Sequence, residues 1–366
     1  MSAIQRLTHA LYLATLLAAL PLDANAADRV DSREFFGLLP VRDMTPFGFV
    51  RLDMRQSPAT FAAIESPSVE IDFGYQNTWA VSPDVEQYLK SRSRSPLTQA
   101  DIANIRAHPG EHFLLDSEVA LLDVAFNYPI TNRLTIYGVL SAASYHGGFM
   151  DGVIENFHST FGFEDFGRPG LTRNQVNTFF DLKGIQYTEL DRPNDIGLLD
   201  PVIGLRYALL PKRNAFNVAF DTAVKIPLSG DVFFSSGRAD VGAQVTAQWY
   251  KGRHALYASG SLVYYGGSQA PFTDSSELVP TGIVGYEFRL FENTNFIGQF
   301  YVSPSTVGRE QTDLDQLRGN KYQISLGLRQ RFQRGYLSLA FTENLNHQNN
   351  TPDFGIQISA GFDFGR

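Results

Sequence analysis

The strongest constraint in this chain is a two-residue alternation that recurs from residue 69 to the C-terminal end. Over 69–81 the odd positions carry Val69, Ile71, Phe73, Tyr75, Asn77, Trp79 and Val81, and the even ones Glu70, Asp72, Gly74, Gln76, Thr78 and Ala80. Successive strand side chains point to opposite faces, so one face is apolar and aromatic while the other is polar and charged. The pattern returns at 216–226, 240–250, 321–332 and 354–364, and less cleanly at 113–127, 133–146, 202–210, 255–265, 282–291, 295–303 and 336–346. The spacing predicts about 12 strands, with a range of about 10–14. Most are long enough to cross a hydrocarbon layer, which takes about 9–11 tilted residues. Strands of soluble sandwiches are shorter, about 5–6 residues.

The connections alternate too. Tight turns fall at Pro129–Asn132, Pro211–Asn214, Lys251-Gly252, Glu292–Asn295 and Gln333–Gly335. Between them run long connections at 82–112, 147–201, 228–239, 266–281, 304–319 and 347–353. Short turns on one rim and long loops on the other define an all-β fold, a transmembrane antiparallel up-and-down β-barrel. An even strand count puts both termini at the periplasmic rim. Aromatics near the apolar strand ends (Trp79, Trp249, Tyr264, Phe332, Phe364) fit interfacial girdles.

The N-terminal end fits export. Arg6 precedes an apolar run, Ala10 to Leu22, and Ala24-Asn25-Ala26 has the small-x-small cleavage pattern. The run is too short to span a bilayer, which needs about 20 residues. A signal peptide at 1–26, cleaved after Ala26, sends the chain toward a Gram-negative outer membrane. Residues 27–67 lack a long period and are read as a periplasmic lead-in, a plug, or one extra strand at Phe47–Met54. The barrel is expected over 68–366. Formal charge is −8, and Arg6 and Asp23 cancel within the leader, so the mature chain also carries −8. That balance argues against nucleic acid as a partner. The expected partners are outer-membrane lipid, the barrel-assembly machinery and a small-molecule solute. There is no cysteine, hence no disulfide or thiolate site. The scattered histidines give no metal spacing, and no cofactor is implied.

Two loops are long enough to hold structure. In the first, Ser95 as N-cap and Pro96 at N1 open a helix through about Ala107. In the second, Phe149–Phe161 is predicted helical and 176–190 a hairpin. The stretch HGGFMDGVIENFHSTFGFEDFGRPGLTRN at 146–174, with LLPVRDMTPF at 38–47, resembles an uncharacterised proteobacterial family, domain of unknown function 3187. The resemblance implies an exported outer-membrane protein over nearly the whole mature chain, and it carries over no catalytic residues.

The polar face should line the lumen. Glu70, Asp72, Arg206, Asp221, Lys225, Glu287, Arg289, Lys321, Arg329, Arg331 and Asp363 are the inward candidates. Arg289, Lys321, Arg329 and Arg331 form a local excess of positive charge on neighbouring strands, suited to an anionic solute. In the long loop, Glu155, His158, Asp165 and Arg168 mix ionisable groups with aromatics. The leading functional expectation is a channel or transporter for small molecules. The alternatives are a structural or surface-interaction barrel with a plugged lumen and an outer-membrane lipid hydrolase. For the last, His254 with Ser259 or Ser261 is the wall pairing to consider.

Overall fold

A computed structural model describes residues 35–364, apart from 47, 57–65, 211–214, 229, 232, 268–276, 306, 309 and 346–350. The leader, the Pro211–Asn214 turn and the last two residues therefore lie outside the described residues.

Twelve strands close on themselves as an antiparallel barrel. In wall order they are β1 (Ser68–Val81), β2 (His112–Pro129), β3 (Leu134–His146), β7 (Val202–Ala208), β8 (Phe216–Lys225), β9 (Asp240–Lys251), β10 (His254–Tyr265), β11 (Glu277–Arg289), β12 (Thr294–Ser303), β13 (Lys321–Phe332), β14 (Gly335–Asn344) and β15 (Phe354–Asp363). Closure is made by β1 on β15, in register from Ser68↔Asp363 to Asn77↔Phe354. No strand edge is then left bare in the wall, which is what a lipid environment requires. Three further strands, β4 (Asn177–Leu182), β5 (Ile185–Glu189) and β6 (Asp195–Leu198), extend the sheet above the rim: β4 pairs with β2, β5 with β4, and β6 with β3.

The expected strands are all present, and the differences lie at their ends. β11 starts at Glu277, five residues before the alternation signals it. Pro280 explains the gap, because β11 meets β12 only from Gly282 onward and Pro280 pairs only with Leu262 of β10. A proline cannot donate to a ladder and is tolerated where one side is unpaired. Residues 48–56 are turn and irregular chain, so the part of the possible extra strand at Phe47–Met54 that is described, from 48 onward, is not a strand, and Phe47 lies outside the described residues.

The barrel is inside-out in polarity. On β1, Ile71 and Phe73 are exposed, while Glu70, Asp72 and Gln76 are buried. On β2, Leu122, Phe126 and Tyr128 face outward, and Asp123 and Asn127 inward. The same parity holds for Leu326 and Leu328 against Gln323 and Arg329 on β13. An apolar belt thus surrounds a polar interior, the arrangement in which lipid is the outer solvent.

The loops hold more structure than the sequence signals. Helix α1 (Pro83–Lys90) is unanticipated, yet its marks are ordinary: Pro at N1, Asp84 and Glu86 in the first turn, Lys90 in the last. Helix α2 (Gln99–Arg106) is capped not by Ser95 but by Thr98, in a reciprocal box with Asp101. Helix α3 (Met150–Phe161) and the β4–β5 hairpin sit where expected. A single turn, α4 (Asp315–Arg318), lies in the loop after β12.

Candidate functional site

The interior of the barrel is where its chemistry is concentrated. Eight strands leave an interior that side chains can fill, whereas 16–18 leave a water channel, so a 12-stranded wall needs something more to fill it. Residues 35–56 supply it. They rise from the short-turn rim, turn over near the long-loop rim and descend again, bonded to the wall throughout.

The rising limb starts among β11, β12 and β13. The Gly37 amide donates to Glu287 Oε2 at 3.1 Å. Arg329 donates to the carbonyls of Gly37 at 2.7 Å and Leu38 at 3.4 Å, and to Glu287 Oε1 at 3.3 Å. Leu39 and Gln299 exchange two bonds, 2.7 and 3.1 Å, as one strand would with another. Phe35, Leu38, Leu39 and Val41 meanwhile cluster with Tyr250, Tyr257, Ile283 and Tyr301 of the wall.

At the top, Asp43 receives Lys321 at 2.6 Å and lies 3.6 Å from Arg51. The two cations balance the buried Asp43 carboxylate. The chain then reverses over Thr45–Arg51, with Gly48 and Phe49 amides on the Thr45 carbonyl. Any Cβ at Gly48 would collide with Thr45 and Asp43, so glycine is required there.

The descending limb crosses to the other wall. Lys225 bridges Asp240 at 2.9 Å and the Val50 carbonyl at 2.8 Å, and Asp240 accepts the Leu52 amide at 2.8 Å. Arg55 closes the limb on Glu70 at 2.8 Å and Asp72 at 2.5 Å, both on β1. A small pocket open to solvent lies beside this limb where it packs on β2, β3, β7 and β8. Arg42, Arg51, Arg55, Asp123 and Lys225 give it charged walls, and Tyr137, Val139 and Val202 apolar ones.

The inward candidates therefore have partners of their own. Arg206 pairs with Asp221, Lys225 with Asp240, Lys321 with Asp43 and Arg329 with Glu287. The expected positive cluster assembles only in part: Arg289, Arg329 and Arg331 come together towards the short-turn rim, and Lys321 does not join them. Lys321 and Arg329 are at opposite ends of β13, about 26 Å apart at about 3.3 Å per residue. Arg289 and Arg331 lie partly exposed near the short-turn rim, where Arg331 reaches the Glu292 carbonyl. Asp363 is exposed at that rim, bonded by Ser66. What sequence reasoning missed are the partners on the inner segment, Asp43, Arg51 and Arg55. Their signal was a dense run of charges from Arg42 to Arg55 among buried apolar residues.

The outer loop splits its four candidates. His158 Nδ1 lies 3.0 Å from Asp165. Glu155 is held instead by Arg94 at 2.8 Å and by Arg173. Burial pushes the Glu155 carboxyl up, and these two guanidinium groups more than reverse it. Arg168 is buried, pairs with Asp151 at 2.6 Å and Asp353 at 2.9 Å, and covers Trp79 at 4.7 Å. It ties the β3–β7 loop to β1 and to the β14–β15 loop. Arg168→Met is expected to leave two carboxylates without their cation and to speed amide exchange across α3 by at least about tenfold, equivalent to about 1.4 kcal/mol. Hydrogen exchange of the intact barrel measures it; unchanged rates would mean the pairing does not hold the loop.

The hydrolase pairing does not assemble. His254 faces outward, its Nδ1 2.6 Å from the Tyr286 hydroxyl, while Ser259 faces inward against Thr246. Ser261 shares the inward parity of Ser259. Ser159, next to His158, donates to the Asn156 carbonyl rather than to a base.

Comparison with known proteins agrees with this architecture. The COG4313 outer membrane channel from Pseudomonas putida F1 superposes with a TM-score of 0.52 at 10% identity, over 85% of this chain and all (100%) of that one. Less similar are the toluene transporter TodX of P. putida, with a TM-score of 0.39 at 10% identity over 84% and 93%, and the toluene transporter TbuX of Ralstonia pickettii, 0.38 at 11% over 93% and 99%. No curated protein sequence matches the chain. The fold is that of outer-membrane barrels. The profile of one family, described as "Protein of unknown function (DUF3187)", matches residues 62–364, and the chain belongs to that family.

Proposed function

We propose that this chain is an outer-membrane channel or transporter for small molecules, closed in the conformation described by its own residues 35–56. The observation that carries the reading is how that segment is held. It is a separate length of chain, not part of the wall, fixed by side-chain hydrogen bonds and ion pairs to β1, β8, β9, β11, β12 and β13. Such contacts exchange with water at little net cost, roughly 0.5–1.5 kcal/mol per hydrogen bond. A segment held this way can leave a lumen that water then fills. The likeness to an outer membrane channel supports the same reading. The leader at 1–26, cleaved after Ala26, would deliver the chain for export. Lipid would meet the apolar belt, and insertion would use the barrel-assembly machinery.

A second reading is favoured by the depth of burial of the lumen. Arg206, Glu287 and Arg329 are fully buried, as in a barrel that is permanently filled and serves as a surface scaffold. Conductance separates the two. In planar bilayers the intact chain is expected to be mostly closed, and a variant lacking residues 35–56 is expected to give discrete, long-lived steps. A folded deletion variant that stays silent across salts and voltages would favour the scaffold.

A further inference from the structure

Helix α3 is amphipathic in the wrong sense for water. Its buried stripe contains Asp151, Glu155 and His158 beside Met150 and Ile154. Its exposed side presents an apolar stripe of Val153, Phe157 and Phe161, flanked by Phe149 and Phe163, each with half or more of its surface exposed, next to the small polar Asn156, Ser159 and Thr160. A surface helix in water turns its apolar stripe to the protein and its charges outward. Here the ionisable groups turn inward, each with a partner: Asp151 with Arg168, Glu155 with Arg94 and Arg173, His158 with Asp165. The helix repeats the polarity of the barrel wall.

Its position matches. The N-terminus of α3 is fixed by Glu118, whose carboxylate accepts the amides of Phe149 at 3.1 Å and Met150 at 2.7 Å. Glu118 shares the parity of Leu122 and Phe126 on β2, so it stands on the outside of the barrel. Phe149 stacks on Tyr75, in line with the exposed Ile71 and Phe73 of β1, at 5.2 Å between centroids. The aromatic stripe is therefore continuous with the belt that faces lipid. Phe157, Phe161 and Phe163 pack on one another within 6.4 Å, a coherent apolar surface rather than scattered side chains.

We propose that α3 lies against the outside of the barrel in the outer leaflet of the membrane, with Val153, Phe157 and Phe161 dipping among lipid chains. Its buried charges, neutralised against the loop, allow the helix to sit there, as interfacial helices do with an apolar face sunk below the headgroups. The inference rests on the barrel fold and not on whether the lumen conducts.

The chain has no cysteine, so single nitroxide labels report one site each. Full-length Phe157→Cys and Phe161→Cys are labelled and reconstituted in phosphatidylcholine–phosphatidylglycerol vesicles. Leu122→Cys serves as a belt reference and Asp313→Cys as a solvent reference. Labels at 157 and 161 are expected to match 122, with collisions with a water-soluble nickel chelate several-fold fewer than at 313 and collisions with oxygen more frequent. Nickel access at either position equal to that at 313 overturns the proposal. Protection from nickel and oxygen alike assigns the face to a second copy of the chain and also overturns it. Both side chains point away from the protein, and a conductance defect does not alter what the label reads.

Discussion

A Leu38→Cys/Gly285→Cys pair, oxidised to a disulfide, is expected to reduce solute flux through reconstituted barrels to the leak of protein-free vesicles, and reductant is expected to restore it. A Cβ on Gly285 would come 2.2 Å from Leu38 Cδ2. Shortening Leu38 to cysteine withdraws that atom by one bond and places a sulfur where the second can reach it. Wall and inner segment are then joined at the start of the rising limb. Opening against a covalent bond costs far more than the about 1.4 kcal/mol that separates each tenfold in population, so the open state disappears from the ensemble. With no native cysteine, no other thiol competes. Equal flux in oxidised and reduced protein, with cross-linking verified by mass, would mean that residues 35–56 do not gate anything. That result would also separate a moving segment from a permanent filling, which the deletion alone does less cleanly because it removes part of the core.

The interior explains why such movement is physically reasonable. The segment packs on the wall in three apolar patches, around Phe35 and Leu39, around Met44 and Phe49, and around Leu52 and Met54. Between the patches, backbone groups of Gly37, Leu39, Val50 and Leu52 are satisfied by wall side chains rather than by another strand. Wall residues such as Lys225, Asp240, Gln299 and Arg329 can bond to water equally well once the segment withdraws. Buried ion pairs contribute little net stability, because desolvation offsets their attraction. The polar groups therefore define the closed arrangement more than they deepen its energy well.

The strands were legible because lipid and lumen impose a period of two on every wall residue, and 69–81 shows it without interruption. The alternation fails where that two-sided constraint fails. Pro280 sits where β11 has a neighbour on one side only, so the pattern there is weak and the strand looks shorter. The inner segment obeys no period at all. Its residues are chosen by partners elsewhere in the chain, from 15 positions away for Arg55 with Glu70 to 188 for Leu52 with Asp240 and 292 for Gly37 with Arg329. Nothing local in Arg42-Asp43 or Asp53-Met54-Arg55 states that the complementary charges are Asp123, Lys321, Glu70 and Asp72. The positive cluster proposed for the lumen lost Lys321 for a related reason, since strand adjacency was readable and height within the barrel was not. In the outer loop the helical period of 149–161 was readable. Its inversion was not, because Asp151 and Glu155 look solvent-facing until Arg168, Arg94 and Arg173 are placed against them.

Arg329→Met is expected to destabilise the barrel by about 3–5 kcal/mol, the usual cost of removing one partner from a buried charge pair. Arg329 and Glu287 are both fully buried, and the guanidinium lies 4.8 Å over the Tyr336 ring. Without it, Glu287 keeps hydrogen bonds from Tyr257 at 2.6 Å, Asn295 at 2.7 Å and the Gly37 amide, but no opposite charge. The carbonyls of Gly37 and Leu38 lose their shared donor at the same time. Water entering from the short-turn rim is the remaining way to solvate all three groups, and it would loosen the rising limb. Amide exchange at Gly37 and Leu39 should rise with the loss of stability, and spontaneous opening events should become more frequent. Glu287→Gln added to Arg329→Met removes the stranded charge and keeps one oxygen to accept from Tyr257 and the Gly37 amide, while the new NH2 replaces the oxygen that accepted from Asn295, whose side-chain amide must flip to accept from it. The double variant should recover stability with a coupling on the order of 2 kcal/mol, inside the range of about 0.5–3 for residues in contact. Denaturant titration of the single and double variants gives the number. Strictly additive losses would show that Arg329 stabilises the barrel through packing on Tyr336 rather than by balancing Glu287, and would remove the electrostatic argument for how the segment is held.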